Sequence, residues 1–155
     1  MRFYWLCEGV LAGCSRPGGP DSGENLEGDL SRLRQQGIGA ILSLTESPID
    51  ESTLARVDLA SLHLPIPDLT APLPAQIDQA LRFLDAQRVQ GRPVAVHCRM
   101  GQGRTGVILA AYLIRNGWTA EDALSHLRTL CPGAISESVQ EEGLRTFAAQ
   151  RAWVL

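Results

Sequence analysis

Pro93-Val94-Ala95-Val96-His97-Cys98-Arg99-Met100-Gly101-Gln102-Gly103-Arg104-Thr105-Gly106-Val107-Ile108-Leu109-Ala110 joins two apolar runs through a short polar turn. The run before His97 reads as a buried strand, and the run from Val107 to Ile114 as a buried helix. The turn therefore lies at a strand-to-helix junction. A chain entering a helix there leaves backbone N–H groups without partners, and their partial positive charge makes the site a receptor for an anion such as phosphate. Gly101 and Gly103 suit such a loop, because without a Cβ they can take positive φ and let N–H groups converge on one point.

Two side chains give this cradle a chemistry. Cys98 and Arg104 are separated by five residues, so a thiol and a guanidinium flank the same turn. Arg104 at the helix start can bond two oxygens of one phosphoryl group with its planar fork. Cys98 is the candidate nucleophile, attacking phosphorus as a thiolate to form a phosphocysteine. Moving a thiol's titration down by about three units takes roughly 4 kcal/mol, and a helix terminus supplies at most about 2. The remainder must come from converging N–H groups, from Arg104 and from a hydroxyl, for which Thr105 is placed. The leaving oxygen also needs a proton. Asp68, in Leu64-Pro65-Ile66-Pro67-Asp68-Leu69-Thr70 and 30 residues before Cys98, is the carboxyl suited to supply it from a proline-stiffened loop. His97 reads as a hydrogen-bonded structural histidine rather than an acid or base.

His-Cys-x2-Gly-x2-Arg-Thr-Gly preceded by a Pro-Asp loop resembles the cysteine-dependent protein tyrosine phosphatase superfamily, and within it most of all the small atypical dual-specificity phosphatases. The likeness runs from Leu11-Ala12-Gly13 through Leu42-Ser43-Leu44-Thr45-Glu46, Ile66-Pro67-Asp68 and Gln76-Ile77-Asp78 to Cys131-Pro132-Gly133, Gln140 and Phe147. It implies that Cys98 is the nucleophile, Arg104 the phosphate clamp, and Asp68 the general acid and then base. It further implies that residues Arg99, Met100, Gly101, Gln102 and Gly103 cradle the phosphate, that His97 supports the loop, that Thr105 stabilises the thiolate and that Gln140 positions water. Gly103 and Thr105 around Arg104, where many dual-specificity enzymes carry serines, and a basic Arg99 after the nucleophile resemble phosphoinositide and inositol-phosphate phosphatases instead. Gln102 lacks the second basic charge of that pattern. The leading expectation is thus hydrolysis of phosphotyrosine, with phosphoserine and phosphothreonine, in a protein or peptide. The alternatives are an inositide phosphatase and, least favoured, a non-catalytic phosphate-binding module.

Composition sets the frame. With 155 residues, 45% hydrophobic and 20% charged, the chain is expected to form one domain, residues 1–155. A net charge of −3 argues against a broad nucleic-acid-binding face. No stretch approaches a membrane span, and residues 1–8 lack the basic start and apolar core of a secretory signal, so a cytoplasmic location is expected, and the enzyme is expected to be a monomer. The four cysteines, Cys7, Cys14, Cys98 and Cys131, form no Cys-x2-Cys pair, so neither a metal site nor a disulfide framework is expected, and no cofactor. Cys7, Cys14 and Cys131 read as small buried hydrophobes.

Along the chain, residues 3–5 and 10–13 read as short strands, and residues 15–23 as a loop. Leu26, Leu30 and Leu33 mark a helix ended by Gly37, and residues 38–44 a buried strand. Residues 59–64 read as another strand. Pro74 opens a helix with Ile77, Ala80, Leu81 and Leu84 on one face. Helices over 105–115, from about Thr119 and from about Ser138 complete an α/β fold: a central, mostly parallel sheet of about four to five strands flanked by helices.

Overall fold

In the computed structural model, which describes residues 1–19 and 25–152, the apolar run before Cys98 is the central strand of a five-stranded sheet. The strands are β1 (Phe3–Cys7), β2 (Leu11–Cys14), β3 (Ala40–Ser43), β4 (Ala60–His63) and β5 (Val94–His97), in the order β1-β2-β5-β3-β4. β1 runs antiparallel to β2 at one edge, and every other pairing is parallel. The expected mostly parallel sheet is therefore present, with one antiparallel edge strand. Of the loop expected over residues 15–23, positions 20–23 lie outside the described residues.

Six helices complete the described fold: α1 (Leu26–Gln35), α2 (Glu51–Arg56), α3 (Pro74–Val89), α4 (Arg104–Arg115), α5 (Ala120–Leu130) and α6 (Ser138–Ala152). Local sequence explains most of their ends. Gly37 follows α1 at φ 97°, a left-handed turn that glycine takes without penalty. Pro74 occupies the first turn of α3, where its missing N–H costs nothing, and Gln76 Oε1 accepts the Leu73 N–H at 2.9 Å. Thr119 caps α5 by accepting the Asp122 N–H at 3.1 Å. Sequence periodicity does not reveal α2. It is a six-residue helix too short to show an apolar period, and it is held by Asp50, which accepts both the Thr53 N–H (3.0 Å) and its hydroxyl (2.7 Å).

The two faces of the sheet bury separate cores. On one, Leu30, Leu33, Ile38 and Leu54 pack with Ile41 and Ala95. On the other, Ala40, Leu42, Val94 and Val96 meet α4 and, through it, α3, α5 and α6. Alternate residues of β3 and β5 thus serve opposite faces, as the pleat requires. α4 is buried along its whole length from Arg104 to Ile114, which is why its sequence is apolar all round and shows no polar stripe. Among the described residues no helix is long and apolar enough to cross a membrane.

Strand register aligns the ends of the parallel strands. Cys14 of β2 pairs with His97 of β5, His97 with Ser43 of β3, and Ser43 with His63 of β4. The last residues of all four parallel strands form one row, so the loops after them leave from the same edge. Leu109 sits beneath this edge, fully buried, and its side chain approaches the Cα of Gly13 so closely that a Cβ there would lie 2.9 Å from it. Leu109→Ala is expected to lower stability by about 2–5 kcal/mol, measured by denaturant unfolding.

Candidate active site

Four loops meet at that edge. Cys98 follows β5 directly and is buried, and Arg104 opens α4 with only 2% exposure. The loop between them carries no side-chain cap, Gly103 holding the cap position, so the first-turn N–H groups of α4 are not taken up by a capping side chain. Gly101 takes φ 75°, and a Cβ on it would lie 2.7 Å from the Cys14 carbonyl carbon and oxygen, so both conformation and space demand glycine. Gly103 differs from expectation. Its φ is −84°, not positive, and a Cβ on it would lie 2.7 Å from the Gln140 side-chain amide, which would have to shift.

Arg104 is the hub. Its Nη1 donates to the Ile66 carbonyl at 2.8 Å and to Glu46 Oε1 at 2.8 Å, and its Nη2 lies 3.0 Å from Asp68 Oδ1. A guanidinium this buried must be paired to be stable, and the partners come from the loops after β3 and β4. The Asp68 loop is fixed at both ends. The Ile66 N–H donates to the Leu44 carbonyl (3.1 Å), the Asp68 N–H to Glu46 Oε2 (3.2 Å), and Leu69, at φ 65°, turns its own N–H back to Asp68 Oδ1 (2.9 Å). The Asp68 carboxyl itself stays 43% exposed at the mouth. The Glu46 carboxyl is held below its ordinary titration range by its own backbone N–H, by the Asp68 N–H and by Arg104.

The remaining expected residues are brought to the same place. Gln140, from α6, is buried beside Gly103 and donates Nε2 to the Thr70 carbonyl at 3.2 Å. Gln102 turns outward, with Nε2 on the Pro132 carbonyl, while Arg99 and Met100 are exposed on the rim. Thr105 is fully buried and does not cap α4. Its Oγ1 has no hydrogen-bond partner among the described residues, and neither do Arg104 Nε and Gln140 Oε1. Buried polar atoms are nearly always paired. Here the three belong to Arg104 and Thr105 at the start of α4 and to Gln140 beside Gly103.

His97 is fully buried, with Nε2 2.7 Å from Ser43 Oγ and Nδ1 3.4 Å from the Cys98 carbonyl. Burial pushes its titration down to about 3, so the ring is neutral at physiological pH and acts as a strut between β5 and β3.

Three residues at this edge carry roles that sequence patterns do not assign. Glu46 and Arg16 line the mouth, a cavity of about 250 Å³ shared with Asp68, Arg99 and Arg104. Tyr4, reaching across from β1, donates its buried hydroxyl to the Gly101 carbonyl at 2.6 Å, and burial raises its titration further above the ordinary phenol range. The signal available for Glu46 is its place two residues beyond the buried run 38–44, on the same edge as Cys98. Tyr4 and Arg16 carry no local signal at all.

The fold is that of the cysteine-based protein tyrosine phosphatase superfamily. The chain belongs to the family described as Tc-R-P, polymorphic toxin system, DSP-PTPase phosphatase, whose model matches residues 12–118. It is similar to phosphatidylglycerophosphate phosphatase PTPMT2 of Arabidopsis thaliana, 27% identical over 125 residues that cover 77% of this chain and 55% of that protein. It is also similar to dual specificity protein phosphatase 12 of Mus musculus, 31% identical over 136 residues, covering 86% of this chain and 40% of the relative. Among solved structures, Tk-PTP in its active form superposes with a TM-score of 0.80 at 28% identity, covering 91% of this chain and 92% of the other. PTPMT1 shares the fold, with a TM-score of 0.81 at 20% identity and 99% and 100% coverage. The chain spans just over half the length, or less, of these curated relatives.

Two outcomes are expected from this geometry. Tyr4→Phe frees the Gly101 carbonyl and is expected to cost about 1 kcal/mol of stability and to slow turnover of an aryl phosphate more than it weakens substrate binding, read from kcat and KM separately. His97 has a folded-state titration below its unfolded value of about 6.5, so below that pH only the unfolded chain takes up the proton. Its contribution to stability is therefore full above about pH 6.5 and falls as pH drops towards 3. Denaturant unfolding at pH 7 and pH 5 should show a loss of about 2 kcal/mol that His97→Asn flattens.

Proposed function

We propose that this chain hydrolyses phosphomonoesters by two successive displacements on phosphorus, with a phosphocysteine on Cys98 between them. The observation that carries this reading is the placing of Cys98 and Arg104 at the two ends of one glycine-bearing loop, with Asp68 Oδ1 3.0 Å from Arg104 Nη2 and Gln140 packed against Gly103. Each suits one part of the reaction.

In the first step the Cys98 thiolate forms a bond to phosphorus as the bond to the ester oxygen breaks, and that oxygen leaves with a proton from Asp68. Arg104 and the loop N–H groups hold the non-bridging oxygens, and charge-assisted bonds there stabilise the in-line transition state. In the second step Asp68 takes the proton of a water that attacks phosphorus, the phosphorus–sulfur bond breaks, and phosphate leaves. In this reading Gln140 Oε1 accepts a hydrogen bond from that water, and Thr105 Oγ1 donates to the sulfur as its charge returns. His97 supports the loop through Ser43. Nucleophile, clamp and proton carrier are all side chains, so the chemistry calls for no metal or cofactor.

The substrate we assign first is phosphotyrosine in proteins, with phosphoserine and phosphothreonine admitted by a shallow mouth, for a monomeric enzyme in a reducing, cytoplasmic compartment where the thiol stays reduced. A second reading, an inositol-phosphate or lipid headgroup, is favoured by the exposed Arg99 and by the likeness to a phosphatidylglycerophosphate phosphatase.

Cys98→Ser is expected to abolish phosphate release from p-nitrophenyl phosphate, and substantial residual turnover would falsify the cysteine mechanism. Asp68→Asn is expected to lose about 10²–10⁴-fold in rate on alkyl or tyrosyl phosphates and much less on substrates whose leaving group needs no proton. Equal losses on both would move the acid to another residue.

A further inference from the structure

A cavity of about 100 Å³ lies at the far end of the sheet from Cys98. Leu11 and Val94, which pair as the first residues of β2 and β5, line it, whereas the loops of the catalytic edge follow the last pair, Cys14 and His97. Three residues of strand, roughly 10 Å, separate the two ends. Val10, Leu84 of α3 and the ring of Tyr112 of α4 complete an apolar wall.

Three charged side chains, Asp85, Arg88 and Arg92, line the same cavity. Asp85 is already neutralised. Both its oxygens are taken by Arg115, Nη1 on Oδ2 at 2.8 Å and Nη2 on Oδ1 at 2.7 Å, and the same guanidinium lies 5.6 Å from the centre of the Tyr112 ring. Arg88 and Arg92 have no carboxylate partner among the described residues. Arg92 Nη1 donates to the neutral Gln87 Oε1 at 3.2 Å, and Arg88 Nη1 to the Tyr112 hydroxyl at 3.4 Å.

Tyr112 is only 8% exposed, and its hydroxyl accepts that one long bond while its own O–H has no acceptor among the described residues. A buried phenol ordinarily finds a partner for its proton. Here an O–H without an acceptor and a guanidinium without a counter-charge stand 3.4 Å apart on an apolar cavity. What completes both is an anionic acceptor, and a carboxylate takes hydrogen bonds from both at once. One guanidinium and one hydroxyl suit a single negative charge, and Asp85 on the same wall disfavours a dianion.

We infer that this cavity is a binding site for a short aliphatic monocarboxylate, with its carboxylate on Arg88 and the Tyr112 hydroxyl and its alkyl chain against Val10, Leu11, Leu84 and Val94. It is separate from the catalytic edge and does not depend on the hydrolytic reading. The volume corresponds to about three waters' share of liquid, at roughly 30 Å³ each. A methylene fills about the same space, so a chain of about three carbons beyond the carboxylate fits, as in butyrate.

The test is calorimetric titration of the unaltered chain with acetate, butyrate, hexanoate and octanoate, with butanol and with sodium chloride at equal ionic strength as controls. Affinity is expected to rise about fourfold per methylene from acetate to butyrate and to level off beyond it, as the chain outgrows the cavity. Butanol should bind at least tenfold more weakly than butyrate, and sodium chloride should give no saturable heat. Arg88 is exposed, so Arg88→Gln should keep the Tm of the unaltered chain while weakening butyrate about tenfold and leaving butanol unchanged. Absence of saturable butyrate binding overturns the site, as does an affinity that keeps rising at the same rate to octanoate. Equal binding of butanol and butyrate, or butyrate binding that survives Arg88→Gln, overturns the assigned head group. Butyrate that competes with p-nitrophenyl phosphate equally in both chains would place the anion on the Cys98 loop and overturn the inference too.

Discussion

A guanidinium buried to 2% exposure at the start of α4 has to be met by acceptors, and the way Arg104 is met organises the edge of the sheet. The Ile66 carbonyl, Glu46 and Asp68 reach it from the loops after β3 and β4, elements far apart in sequence from α4. These contacts tie together the segments that must be close for phosphoryl chemistry: the anion cradle, the carboxyl over its mouth and the wall between them. Asp68 remains partly exposed while Arg104 is sealed in, which suits a proton carrier that meets both substrate and water. Arg104 is paired with both Asp68 and Glu46, so the proposed acid and the proposed clamp are in direct contact.

The cradle is braced from beneath by contacts that do no chemistry. His97 spans to Ser43 as a neutral strut, Tyr4 pins the Gly101 carbonyl, and Cys14 presses its backbone against the Gly101 Cα so that only glycine fits. Fixing the Gly101 peptide orients the N–H of the next residue, and preorganised N–H groups are what make such a loop effective. Cys14 and Cys131 are buried in this layer, and burial raises the Cys14 thiol well above its ordinary range, which fits a packing role.

Much of this is legible in the chain. The apolar run, the glycines, Cys98 and Arg104 specify a strand, an anion-binding turn and a helix through local propensity, and the Pro-Asp loop announces itself through its prolines. Helix ends at Gly37, Pro74 and Thr119 are readable because capping is local chemistry. α2 escapes such a reading because six residues carry no period. Gly103 misleads it because its φ is not positive and what packs against it, Gln140, lies 37 positions away in sequence.

Sequence by itself thus determined the fold class and the strand–turn–helix that carries Cys98 and Arg104, since local propensity writes these elements, and it offered Asp68 as a candidate acid. Tertiary structure alone decided which groups surround them. The parallel register places Cys14, His97, Ser43 and His63 in one row, so residues just past four separate strands share a site. Tyr4 and Arg16 acquire their contacts only from tertiary pairing, which is set by how the two buried faces of the sheet pack and leaves no local pattern at either residue, whereas Glu46 is marked only by its place just past the buried run 38–44.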